Sequence, residues 1–317
     1  MGPPQPERTA PYAGAVNDDT ADRAQGVPFL KGHGTENDFV IVPDPDGRLD
    51  LGPAVVARIC DRRAGIGGDG LLRVVRSAAH PEAAAVAGTA EWFMDYRNAD
   101  GSISEMCGNG IRVFARYLVR AGHTGPGDLA IATRAGVRTV HVAEDGPGGR
   151  PGDITVDMGP AALTGPDDIR VAVGPRHWPA RSVGMGNPHA VAFVADLEHA
   201  GDLLTAPAVT PVSAYPQGVN VEFVVDCGPG RVAMRVHERG SGETRSCGTG
   251  ACAVAVAAAR RDGVDPAVTG HPVTYTVELP GGRLLITERP DGRVEMTGPA
   301  VIVAEGVMDQ GLLAVQN

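Results

Sequence analysis

Short runs of alternating apolar and polar residues, broken by glycine, dominate the chain after Val27. Residues 39–42 and 71–75 read as strands. Residues 91–98 alternate Trp92, Met94 and Tyr96 with Phe93, Asp95 and Arg97, the period of a half-buried strand. A turn at Asp100-Gly101 follows. The pattern then changes period. Ile111, Phe114, Ala115 and Leu118 fall at i, i+3, i+4 and i+7, with Arg112, Arg116 and Arg120 along another face. This predicts a helix from near Cys107 that stops at Gly122. The same succession returns later. Val232, Met234 and Val236 alternate, Arg239-Gly240-Ser241-Gly242 turns, and a helix is predicted from Cys247 to about Arg261, stopping at Gly263. That second helix is Ala, Val and Cys almost all round, so it is expected to be buried on all sides.

The recurrence can be counted. Cys107-Gly108-Asn109-Gly110 and Cys247-Gly248-Thr249-Gly250 are offset by 140 residues, and each begins nine residues after an alternating strand. Gly34-x-x-Asn37 echoes Gly184-x-x-Asn187, and Gly65-Ile66-Gly67 echoes Gly218-Val219-Asn220. The expected fold is α+β, with two pseudo-symmetric halves, each a mixed or antiparallel sheet wrapped around a central helix. The Gly- and Pro-rich stretch 145–152 reads as the connection between them. Residues 1–26 have no periodicity and read as a flexible N-terminal extension.

Composition narrows the chemistry. The 317 residues leave room for about two domains. A net charge of −10 argues against nucleic acid or an anionic membrane as partner. Lys31 is the one lysine among 28 basic residues. A pyridoxal phosphate enzyme would have to use it for its imine, and it does not sit in a P-loop. Five cysteines without a CxxC pair, and no basic-then-apolar leader, read as a cytoplasmic protein with reduced thiols. Cys60, Cys227 and Cys252 read as small core residues, and the Cys and His spacing does not suggest a metal site.

The two Cys-Gly-x-Gly units are the candidate chemistry. A helix start leaves backbone N–H groups without partners, and glycine lets a ligand come close to them. The positive end of the helix dipole favours a carboxylate there, and would favour a thiolate on the cysteine beside it. A cysteine before a glycine turn can also be simply small and buried. Two such units in a duplicated chain suggest more. Facing each other, both starts could hold one carboxylate, with the sulfurs on opposite sides of the carbon attached to it. One thiolate would remove the α-proton and the opposite thiol would return a proton. Two other readings stay open at this point: a regulatory disulfide between Cys107 and Cys247, and cysteine acyl transfer.

The chain resembles the diaminopimelate epimerases in Lys31-Gly-His-Gly-Thr-Glu-Asn-Asp-Phe39, Ala64-Gly-Ile-Gly-Gly-Asp-Gly70, Asn98-Ala-Asp-Gly-Ser102, Met185-Gly-Asn-Pro-His189, Gly218-Val-Asn220, Glu238-Arg-Gly-Ser-Gly-Glu-Thr244 and both cysteine units. The resemblance implies a cofactor-independent isomerase of LL- and meso-diaminopimelate, in lysine and peptidoglycan precursor synthesis, with Cys107 and Cys247 as the acid–base pair. It implies that Gly108, Asn109, Gly248 and Thr249 hold the carboxylate at the reacting carbon. Asn37, Asn98, Asn187, Asn220, Glu238 and Arg239 would bind the rest of the substrate, and His189 and Glu238 would tune the sulfurs. It implies no cofactor and no metal, and allows a homodimer. It also implies a last strand that returns to the first half, giving halves of 27–152 plus 300–317 and 153–299. Gly70 stands where some members carry Gln. The proline racemases and hydroxyproline epimerases are the nearest alternative family; they typically carry His at the position of Asn109.

Overall fold

The computed structural model describes residues 26–163, 165–166 and 168–313, so the expectation for residues 1–26 lies, apart from Gly26, outside the described residues. The first half contains β1 (Val27–Gly34), β2 (Asn37–Pro43), α1 (Pro53–Cys60), β3 (Gly70–Arg76), β4 (Trp92–Asn98), α2 (Gly108–Arg120), β5 (Gly127–Thr133), β6 (Gly136–Val142) and β7 (Ile154–Pro160). The second contains β8 (Arg170–Val173), β9 (Arg176–Gly184), β10 (Pro188–Phe193), β11 (Ala208–Thr210), β12 (Asn220–Asp226), β13 (Arg231–Glu238), β14 (Gly242–Glu243), α3 (Gly248–Arg261), β15 (Val273–Leu279), β16 (Gly282–Glu288) and β17 (Arg293–Gly298). The chain then returns through β18 (Val301–Met308). No helix among the described residues is long and apolar enough to cross a membrane.

Strand pairing repeats between the halves. β2 and β3 are parallel, β3 and β4 antiparallel, β4 and β5 parallel, and β5, β6 and β7 antiparallel in turn. β10 and β12, β12 and β13, β13 and β15, then β15, β16 and β17, follow the same order of directions. β7 pairs antiparallel with β17 and joins the two sheets. β18 pairs with β1, so the last strand returns to the first half, while β8 pairs with β9 within the second.

This pairing corrects the reading of 145–152. β6 and β7 pair with each other, so that stretch is the loop of a hairpin inside the first half. β7 belongs with α2, against which it packs, and the chain changes halves after Pro160 rather than at residue 152. A Gly- and Pro-rich loop marks a turn in either case, and composition does not tell a hairpin from a linker.

Each central helix starts on a cysteine. α2 is capped by Cys107 and α3 by Cys247, both in extended backbone, with each sulfur accepting the N–H three residues on. α2 ends where Gly122 takes φ +73°, a left-handed conformation that a side chain disfavours. The sheets wrap both helices so closely that the arginine face of α2 reaches water only at its last residue, Arg120, which pairs with Glu305. Arg112 is completely buried and Arg116 nearly so. β4 is likewise buried on both faces rather than one. Trp92, Met94 and Tyr96 join the core around α2, while Phe93 packs with Val75, Ala83, Ala90 and Ala132. The Asp95 carboxylate is neutralised by Arg97 and Arg134. Cys60 and Cys252 are buried as expected, but Cys227 is exposed, because it lies just past the end of β12 in the turn to β13.

Candidate active site

The two helix starts meet at the junction of the halves. Asn109 Nδ2 donates to the carbonyl and the hydroxyl oxygen of Ser246, at 3.2 Å each, one residue before Cys247. A Cβ placed on Gly108 would sit 2.8 Å from Met296 Cε and 2.9 Å from Met158 Cε, and one on Gly248 would sit 3.1 Å from Met296 Sδ. Met158 lies on β7 and Met296 on β17, so the paired junction strands form the floor under both cysteines. Neither sulfur is in a disulfide.

The surroundings of Cys107 come from the β1–β2 turn. Thr35 and Glu36 take φ +50° and +62° there, a strained conformation for a β-branched threonine. The second half holds the turn in place: Thr35 Oγ1 and Ser246 Oγ are 2.6 Å apart, and Arg245 pairs with Glu36. Asn37 follows the turn. Its Oδ1 accepts from the Cys107 thiol at 3.6 Å and from Asn109 at 3.2 Å, and its Nδ2 donates to Asp69 at 2.8 Å. Asp69 also accepts from Arg62, which pairs with Asp38, and Asp38 pairs with Lys31. The single lysine therefore braces the loop that orients Asn37.

The surroundings of Cys247 are ionisable. Thr249 Oγ1 lies 3.6 Å from Cys247 Sγ and accepts from Asn187 at 3.4 Å. Asn187 Oδ1 lies 2.9 Å from His189 Nε2, and His189 Nδ1 lies 2.6 Å from Glu222 Oε1. Glu238 is within hydrogen-bonding reach of Cys247 and accepts from Thr244. Burial pushes the Cys107 thiol up to about 11, against the N–H groups of Gly110 and Asn109 that favour the thiolate. Cys247 is also raised well above the ordinary thiol range, by burial and then by the carboxylates of Glu238 and Glu222. Glu238 is itself raised by burial. The expectation that the helix starts alone would lower these thiols is thus corrected: removal from water outweighs the dipole.

A family model described as diaminopimelate epimerase matches residues 29–164 and 181–303. A relative from Streptomyces coelicolor, named diaminopimelate epimerase, is 72% identical over 287 residues, covering 90% of this chain and 97% of its own. One of the same name from Thermobifida fusca is 51% identical, covering 88% and 96%. The chain belongs to the diaminopimelate epimerase family. Solved structures share its fold at low identity. A Bacillus anthracis phenazine biosynthesis protein of the PhzF family has a TM-score of 0.64 at 17% identity, covering 90% of this chain and 99% of that one. A probable proline racemase from Agrobacterium radiobacter K84 has 0.63 at 14%, covering 89% and 93%.

Within this diaminopimelate epimerase fold, the predicted residues separate into groups. Cys107, Cys247, Asn37, Asn187, Thr249 and Glu238 gather around the two helix starts. His189 bonds to Glu222 and Asn187, and reaches Cys247 through Asn187 and Thr249. Asn98 Oδ1 accepts from Tyr96 and its Nδ2 donates to Ser102. Asn220 Oδ1 accepts from the Arg239 backbone N–H at 2.8 Å, and the exposed Arg239 guanidinium donates to Gln217 O. The Asn109 side chain is buried and bonded to Asn37, Ser246 and Arg112, so it ties the halves together. Gly70 has no room for a side chain, because its Cβ position lies 2.7 Å from the Tyr96 ring. Sequence reasoning missed Asp69, Arg112, Ser246 and Glu222. Glu222 alone gave a signal, as a carboxylate inside the apolar strand Asn220-Val-Glu-Phe-Val-Val.

Proposed function

We propose that the chain interconverts LL- and meso-diaminopimelate without a cofactor, with Cys107 and Cys247 as the two acid–base residues. The observation that carries this reading is the meeting of two cysteine-capped helix starts at a pseudo-symmetric junction. The α-carboxylate of the substrate rests on the first-turn N–H groups of Gly108, Asn109, Gly248 and Thr249. One thiolate takes the α-proton, and the thiol on the other face gives its proton to the same carbon. The configuration inverts, and the two sulfurs exchange protonation states. A thiolate whose conjugate acid is hard to ionise is a stronger base toward a weakly acidic C–H bond, and the substrate ammonium helps to form it. Asn37, Asn98, Asn187, Asn220, Glu238 and Arg239 bind the rest of the substrate, Arg239 at the distal carboxylate.

The test is an initial-rate reaction of LL-diaminopimelate in D₂O. The product should carry deuterium at the inverted carbon before the recovered substrate does. Equal early labelling in both would replace two bases by one, and turnover of proline in place of diaminopimelate would replace the substrate. The reading also places the enzyme in the cytoplasm as a homodimer. In support, among the described residues β18 is bonded on one edge only, to β1, and Val301, Val303 and Val307 on it are exposed. Light scattering on the purified protein decides between dimer and monomer.

A further inference from the structure

The same place behind each helix start is filled in two different ways. In the first half, Phe39 and Leu72 pack beneath the first turn of α2. The Cβ position of Gly110 lies 3.3 Å from Leu72 Cδ2 and 3.5 Å from Phe39 Cζ. The parallel registers Phe39 to Gly70 and His189 to Asn220 make His189 the counterpart of Phe39 and Glu222 that of Leu72. All four side chains are buried. Beneath α3, the Cβ position of Gly250 lies 2.9 Å from Glu222 Oε1. An apolar pair fills this space in one half, so the fold does not require a charged one in the other. Glu222 Oε2 is buried and has no hydrogen-bond partner, which a carboxylate kept only for the scaffold would not leave.

The bonds that do form run toward the sulfur. Asn187 Oδ1 accepts from His189 Nε2, which leaves Nδ1 to share a proton with Glu222. The Asn187 amide nitrogen then donates to Thr249 Oγ1, and the Thr249 hydroxyl hydrogen is left to point at Cys247 Sγ. We propose that Glu222 is a positioning residue for proton transfer at Cys247: through His189 and Asn187 it fixes the Thr249 hydroxyl as a donor to that sulfur, a device that Cys107 lacks. The proposal rests on the reading of Cys247 as an acid–base residue. The titratable and charged groups that face Cys247 are Glu238 on β13 and Glu222 on β12, with His189 on β10 bonded to Glu222.

The experiment compares Glu222→Gln, Glu222→Leu and the double variant His189→Phe/Glu222→Leu with wild type. The double variant imports the pair that already packs in the first half, so it keeps the fold, read as an unchanged melting temperature. We expect kcat for diaminopimelate to fall ~100-fold in all three, with KM within about twofold. In parallel, iodoacetamide alkylation of the whole enzyme is followed peptide by peptide against pH. Loss of the Glu222 charge favours the neighbouring thiolate, so in Glu222→Gln the Cys247 profile should move to lower pH while the Cys107 profile stays. A folded double variant with kcat within about threefold of wild type overturns the proposal. So does a Cys247 profile that does not move. Wild-type enzyme that fails to turn over diaminopimelate overturns the functional reading instead, and the alkylation arm still judges Glu222.

Discussion

The two cysteine-capped helix starts share a backbone and differ in what surrounds them. Each sulfur accepts an N–H three residues on, at 3.4 Å in both. Around Cys107 the groups in contact are neutral: Asn37 accepts from its thiol, and Phe39 and Leu72 lie beneath the first turn, with Glu238 and Arg112 acting on the sulfur as weaker influences than burial. Around Cys247 they are ionisable: Glu238, Glu222 and His189. The helices differ in the opposite sense. Five residues after the cysteine, α2 carries the buried Arg112 and α3 carries the buried Cys252. Under the proposed function, the two starts are equal frames for one carboxylate with unequal surroundings at the two proton-transfer positions. A two-base inversion needs the equal frames, because the substrate presents one face to each sulfur.

The largest effect falls on that pairing. Cys107→Ala and Cys247→Ala should each lower epimerisation at least ~1,000-fold, since every turnover uses both sulfurs. The comparison sharpens in D₂O. Each variant keeps one base, so it should exchange the α-hydrogen of one stereoisomer without inverting it, and the two variants should choose opposite isomers. Nuclear magnetic resonance of the recovered substrate reads this. Exchange of the same isomer by both variants would break the picture of one sulfur per face.

Next in size is Arg112. Its guanidinium donates to Pro299 O, Thr35 Oγ1 and Asn109 Oδ1, and burial lowers its pKa to about 10. Arg112→Met would leave these acceptors short of a donor and should destabilise the fold by about 2–4 kcal/mol. Cys252→Ala, at the equivalent place in α3, removes one small apolar contact and should cost about 1 kcal/mol. Urea unfolding of both variants checks the contrast, and equal losses would refute it.

What the sequence disclosed follows the range of the interactions involved. The two helices, their caps and the β4 and β13 strands rest on neighbours within a few residues, and periodicity displays them. The duplication was visible because Cys-Gly-x-Gly is dense in constraint. The Thr35–Ser246 and Asn109–Ser246 bonds join residues 211 and 137 apart. No local pattern encodes such a bond, so the tie that the Asn109 side chain makes between the halves was not legible. Nor was the burial of Arg112 and Arg116, because the carbonyls of Pro299 and Gly152 that satisfy them lie in loops distant along the chain. The motif segments contain Asn37, Thr35, Glu36 and Asp69, but not the sign that Thr35 and Glu36 form a strained turn and that Asp69 braces the Asn37 amide.

Alkaline pH acts on both sulfurs in the same sense, with a smaller effect. Cys107 rises from 9.0 to about 11 on folding, so its contribution to stability is complete below pH 9 and disappears as pH climbs through 11. The loss should be about 2–3 kcal/mol. Cys60, at about 11, and Cys252, at about 12, act in the same sense and form a background. Urea midpoints at pH 8 and pH 10.5 should therefore differ less in Cys107→Ala than in wild type. The same should hold for Cys247→Ala, whose thiol is also raised by burial and two carboxylates. Differences as large as in wild type in both variants would mean that folding does not hold these thiols protonated.

The smallest contrast lies in the glycines of the two starts. A methyl at Gly108 would meet Met296 Cε at 2.8 Å and Met158 Cε at 2.9 Å together, closer than carbon atoms approach. Both methionines must move, and both belong to the floor shared by the two sulfurs. A methyl at Gly248 meets Met296 Sδ at 3.1 Å and Cε at 3.4 Å, which a single flexible side chain can relieve. Gly108→Ala should therefore destabilise the protein by about 1–3 kcal/mol, and Gly248→Ala by less than about 1 kcal/mol. The effect on activity should follow the same order, because displacement of Met158 and Met296 disturbs the surface under the reacting carbon from both sides. Thermal unfolding and initial rates of the two variants give the answer. If Gly248→Ala were the more damaging, the floor would belong to the second half rather than to the pair of junction strands.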